Sequence, residues 1–88
     1  MSLGLQARLI DDLEDTYRDW RRASAAVEAA YLRWQLAPST AAHRAYAEYV
    51  ASLDDEEDAA EEYAQSFLRY LRGRTRERIL SEWLDREA

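Results

Sequence analysis

Between Leu5 and Arg72 the chain contains one residue that forces a break in a helix, Pro38. Proline removes a backbone donor and its ring clashes with the preceding turn, so the long stretches on either side can be helical only as separate elements. In Leu36-Ala37-Pro38-Ser39-Thr40 the proline is followed by two hydroxyl residues suited to cap a second helix. The next punctuation is Gly73, which suits the left-handed position just past a helix C-terminus, with Thr75 placed to cap a short third helix. The pattern predicts helices over about 5–36, 40–72 and 76–86, within a single helical domain covering 1–88. Two Gly and one Pro in 88 residues leave nothing to punctuate strands, and the absence of Cys excludes a disulfide framework.

The first stretch carries Ile10, Leu13, Tyr17, Trp20, Ser24, Val27, Tyr31 and Trp34 at alternating spacings of three and four, the repeat of a coiled-coil seam. The second repeats it with Ala42, Tyr46, Tyr49, Leu53, Glu56, Ala60, Tyr63, Phe67 and Tyr70. Every aromatic residue of the two stretches falls on these columns. A short connection forces the helices antiparallel, and a turn centred on Pro38 sets Trp34 opposite Ala42, Tyr31 opposite Tyr46, Trp20 opposite Glu56 and Ile10 opposite Phe67. The expected fold is an all-α, coiled-coil-like hairpin with an aromatic seam and a short C-terminal helix. Glu56, an acid within that seam, reads as a polar group that sets register opposite the Trp20 indole. The acidic run Asp54 to Asp58 is expected beside Arg18, Arg21 and Arg22, and the helix is expected to continue through Ser52 to Asp58 despite a capping-box pattern there.

The hairpin has one edge of small residues, which includes Thr16, Ala23, Ala30, Ser52, Ala59 and Ser66. Small residues let another helix approach closely, and rods as long as these leave apolar surface uncovered. A homodimer joined through that edge or through the Ala-rich tip with Leu32, closing a four-helix bundle, is therefore the expected assembly, with pairing to another helical protein as the other form of it.

Chemistry is sparse. His43 is the sole histidine, no Glu-x-x-His ligand motif occurs, and neither a Gly-rich phosphate loop nor a nucleophile with its base can be assembled. No catalytic residue, metal ligand, cofactor or small-molecule substrate is expected. The charge is −6 from 18 acids and 12 bases, and every base is Arg, as a GC-rich genome tends to produce. Five of them, Arg69, Arg72, Arg74, Arg76 and Arg78, gather around Gly73. They suit a regulator contacting nucleic acid or an acidic partner, although an acidic chain repels phosphate backbones. Trp83 belongs to the apolar stripe Ile79, Leu80, Trp83 and Leu84 of the third helix, which is expected to fold back over Leu5, Leu9, Leu68 and Leu71. No segment has the apolar run of a secretory signal or a membrane span, and a cytoplasmic location is expected. The Trp34-Gln35-Leu36 sequence before the turn, and Arg74 four residues after Tyr70, lack the Trp-x-Gly turn and the Tyr-x-x-x-acid tail of small secreted helical hairpins.

Overall fold

The computed structural model describes residues 2–87. Two helices, α1 (Ser2–Leu36) and α2 (Ala42–Glu87), run antiparallel and build an all-α hairpin. The molecule is a rod of 74 × 15 × 13 Å with a radius of gyration of 20.4 Å, against about 12 Å for a compact chain of this length.

The connection uses backbone groups rather than the expected side-chain caps. The Ala41 amide donates to the Pro38 carbonyl at 2.9 Å, and the Ala45 amide donates to Ala41 at 3.0 Å as the first bond of α2. At the other end of the link the Ala37 amide returns to Trp34 at 3.3 Å, tightening the last turn of α1. α2 continues through Ser52 to Asp58, where the Ser52 hydroxyl donates back to the Tyr49 carbonyl at 2.6 Å instead of starting a new helix.

No third helix forms: α2 runs unbroken past Gly73. That glycine does not take a positive φ, so it is not a C-cap. Its role is contact. A Cβ built there would stand 2.6 Å from Leu9 Cδ1, so the missing side chain is what lets α1 lie against α2 at this level. Arg69 to Arg72 and Arg74 to Glu77 are residues of higher helical propensity, and they carry the helix across a glycine that costs about 1 kcal/mol. The C-terminal stripe therefore continues along the rod rather than folding back, and Leu5, Leu68, Ile79 and Leu80 all remain at least half exposed.

The seam also differs from the aromatic columns. The most buried residues are Ala30 and Ser66, at 1% exposure, and Ala45 at 8%. Thr16 and Ser66 meet directly through their hydroxyls at 2.5 Å. The edge of small residues is thus the inner contact between α1 and α2, not a free docking face. Each hydroxyl also lies near a carbonyl of its own helix, Thr16 with Asp12 at 3.0 Å and Ser66 with Tyr63 at 2.9 Å. With one hydrogen on each, one residue donates to its backbone and the other donates across the seam, so the buried Ser66 and half-buried Thr16 hydroxyls are satisfied at once.

The register shifts accordingly. Trp20 stacks on Tyr63 rather than facing Glu56, and Trp34 stacks on Tyr49 rather than facing Ala42. Both are displaced by about one heptad. The cause is the link: α1 stops at Leu36, and Ala37 to Ala41 climb beside the start of α2 before the chain reverses, so partners lie further along α2 than a tight turn at Pro38 requires.

Overpacking tests this seam. Ala30→Leu should cost about 1–3 kcal/mol in urea or thermal unfolding, because a large side chain cannot enter a contact made by small ones. Ala29→Leu, one position round the helix and exposed, should change stability by no more than about 0.5 kcal/mol. Equal and small effects at the two positions would show that the helices do not meet along this column.

Candidate interaction surfaces

On each helix three columns run side by side. Taking the two that meet between the helices, one is small (Thr16, Ala23, Ala30 with Ala45, Ser52, Ala59, Ser66) and one is large (Leu13, Trp20, Val27, Trp34 with Tyr49, Glu56, Tyr63, Tyr70). The third column follows one residue after the small one: Ile10, Tyr17, Ser24 and Tyr31 on α1, with Tyr46, Leu53, Ala60 and Phe67 on α2. In an antiparallel pair equivalent flanking columns lie on the same side. Close approach along the small column pushes the large rings out toward the third, and together they form one face of the rod.

That face holds two aromatic clusters. Near the open end, Trp20 and Tyr63 stack with centroids 5.6 Å apart and planes within 6°, and Tyr17 packs on both. Phe67 extends this group from Tyr63. Near the tip, Trp34 stacks on Tyr49 at 5.5 Å and 17°, with Tyr31 and Tyr46 against it. The stacked pairs fix the heptad register, since offset rings contribute about 0.5–1.5 kcal/mol beyond burial. The outer rings are only half covered: Tyr17, Tyr31, Tyr46, Phe67 and Leu53 remain about two-fifths exposed. Leu32 adds to the tip cluster, lining an open groove with Val27, Tyr31 and Tyr49. Between the clusters the third column carries the small Ser24 and Ala60, and the large column carries Val27 and Glu56, all half-buried.

The charged groups lie elsewhere. Arg18 pairs with Asp15 at 3.2 Å and Arg22 with Asp19 at 3.8 Å. These arginines bond within α1, not with the acidic run of α2, and such exposed pairs contribute little. Among the described residues one ion pair crosses the hairpin, Arg69 to Asp12 at 2.8 Å. Arg78 pairs along its own helix with Glu82 at 3.6 Å. Arg72, Arg74 and Arg76 make no salt bridge among the described residues and are exposed, as is Trp83.

Of the residues singled out in the sequence, Thr16, Ala23, Ala30, Ser52, Ala59 and Ser66 are therefore seam residues, while Leu32, Trp83 and the arginines lie on open surface. The aromatic face was missed as a surface because its large residues were assigned to the interior. The signal for it was present in Ala23 and Ala30 on α1 and in Ala45, Ser52 and Ala59 on α2, small residues that recur once per heptad where two backbones can touch. Among the described residues no group of three or more His, Cys, Asp or Glu is placed to hold a metal ion, and no helix is long and apolar enough to cross a membrane. No protein-family model, curated protein or solved structure matches the chain.

A double-mutant cycle reads the register directly. Trp20 and Tyr63, each replaced by Ala, should show a coupling of about 0.5–1.5 kcal/mol. Trp20 and Glu56 should add within about 0.5 kcal/mol. The reverse result would restore the pairing read from the loop position.

Proposed function

We propose that this protein is a non-catalytic assembly module, and that it works as a homodimer whose two hairpins pack aromatic face on aromatic face into a four-helix bundle. The observation that carries the reading is the half-exposed aromatic face. Large apolar side chains run along nearly the whole paired length of the hairpin on this side, from Ile10 and Phe67 to Tyr31 and Tyr46. Contiguous apolar surface of this extent is characteristic of a binding face.

Area supports the same reading. The isolated chain exposes 7256 Å², whereas a compact protein of its mass exposes about 5,400 Å². The excess exceeds the roughly 800 Å² each partner contributes to a standard interface. A second copy is the simplest cover, because the face is nearly symmetric about its own centre. A two-fold axis through Ser24 and Ala60, perpendicular to the rod, lays the Tyr17–Trp20–Tyr63 cluster of one copy on the Tyr31–Trp34–Tyr49 cluster of the other. Isologous contacts of this kind close on themselves. The two Glu56 side chains then lie near the axis, where like charges oppose association.

Sedimentation equilibrium tests the reading. The full chain should sediment at about twice 10.3 kDa. Leu53→Glu with Phe67→Glu should return it to monomer with its helical circular dichroism intact, Leu36→Glu at the exposed tip should leave the dimer unchanged, and Glu56→Gln should tighten it. A wild-type chain that stays monomeric at high concentration removes the proposal.

A further inference from the structure

The last third of α2 carries a second apolar stripe that the hairpin does not use. Leu68, Leu71, Thr75 and Ile79 recur at spacings of three and four, on the side of α2 roughly opposite to Ser66 and Gly73, which face α1. With Leu80 they line an open groove of about 440 Å³. Arg72 and Arg76 stand along this groove and also border a second one, between the helices, that is walled by Leu5, Leu9 and Gly73. Upstream on the same helix the outward residues are acidic, Asp54, Asp58, Glu61 and Glu62, so the apolar stripe begins where the charge changes sign.

Charge states what fits there. Arg69 is engaged by Asp12 and Arg78 by Glu82. Arg72, Arg74 and Arg76 are free of ion pairs among the described residues, and Arg72 and Arg76 line the groove, which leaves two uncompensated cations at an apolar groove on a chain of net charge −6. A groove whose ridges follow one helix accepts another helix, read as apolar residues at i, i+3, i+4 and i+7. We infer that the groove along Leu68 to Leu80 is a docking site for an acidic amphipathic helix of a partner protein, with apolar anchors between the leucines and Ile79 and with Glu or Asp beside Arg72 and Arg76.

Two other occupants fit less well. The acidic amphipathic segment of a second copy, around Leu9 to Asp15, is already paired in its own hairpin, with Leu9 on Gly73 and Asp12 on Arg69. Nucleic acid would find arginines but no ring in the groove for a base to stack on, and the acidic remainder of the chain repels its backbone. The inference does not rest on the dimer, since the groove is on another side of the rod.

The test uses the full chain and a labelled synthetic peptide with Leu at i, i+3, i+4 and i+7 and Glu at the flanking positions, followed by fluorescence anisotropy. The same peptide with Lys for Glu, and a duplex DNA oligonucleotide, are the comparison probes. The Glu peptide should bind in a salt-sensitive manner, and the Lys peptide should bind at least about tenfold more weakly. Arg72→Glu/Arg76→Glu and, separately, Ile79→Ser should each weaken the Glu peptide at least about tenfold. Neither change should alter the helical circular dichroism or the sedimenting mass. Failure of the wild type to bind the Glu peptide would overturn the inference. So would tighter binding of DNA with no effect of Ile79→Ser, or a fall in sedimenting mass on Ile79→Ser like that caused by Leu53→Glu/Phe67→Glu, which would give the groove to nucleic acid or to a second copy.

Discussion

The structure depends on how closely two backbones can approach along one column of small side chains. Wherever α1 and α2 meet at this column the residues are Ala, Ser, Thr or Gly, apart from Leu9, and at that one level the partner is Gly73, which has no side chain at all. Interaxial distance follows the side chains at the contact. Small contacts bring the helices together, and dispersion then acts between backbone and Cβ atoms over the whole length of the pair. The Thr16 and Ser66 hydroxyls belong to the same constraint. They are short enough to fit the column, and because they bond to each other and to their own helices they are buried without an unsatisfied donor.

Close approach has a consequence for the large residues. Rings as wide as Trp20, Trp34, Tyr49 and Tyr63 cannot occupy the narrow side of the seam, so they stack in cross-helix pairs on its other side. One face of the rod thereby becomes aromatic while the core stays thin. The hairpin holds much of its apolar surface where a monomer cannot cover it: the same small column that joins the helices exposes the rings.

Much of this was legible in the sequence, and the part that was not has a definite cause. Pro38, the scarcity of Gly and the three-four repeat identified two long helices and their antiparallel pairing. The choice of seam was harder, because three adjacent columns are all apolar or small, and the large column gives a three-four repeat with either of the other two. Hydrophobicity favours the two columns that hold the rings, whereas interhelical distance favours the column that holds the alanines. Distance prevailed. The facing pairs failed for a related reason, since they were derived from a tight turn and the link from Ala37 to Ala41 instead runs alongside α2. Gly73 was misread because a glycine can end a helix through its free φ or admit a neighbour through its missing Cβ, and one chain without a partner coordinate does not separate these uses. Of the open surfaces, the arginines and Trp83 were legible from composition and spacing. The aromatic face was hidden by its own hydrophobicity.

The register also decides what happens at the far end of α2. With Leu9 opposite Gly73, the antiparallel arrangement brings the start of α1 level with residues near 80, so Trp83 and Leu84 extend past the paired region and are exposed. A helix without a packed partner frays, because propensity alone holds short segments only marginally. Arg72, Arg74 and Arg76 lie level with the first turns of α1 and make no ion pair among the described residues, so their charge is not consumed within the hairpin. Along α2 two paired stretches thus differ in kind. The stretch from Asp54 to Glu62 is acidic and lies level with the aromatic face, whereas the stretch from Arg69 to Arg78 is basic and carries its apolar stripe on another side of the rod. Two surfaces that differ in charge and orientation can be occupied together, so the proposed pairing of hairpins and the proposed helix docking do not compete for one face.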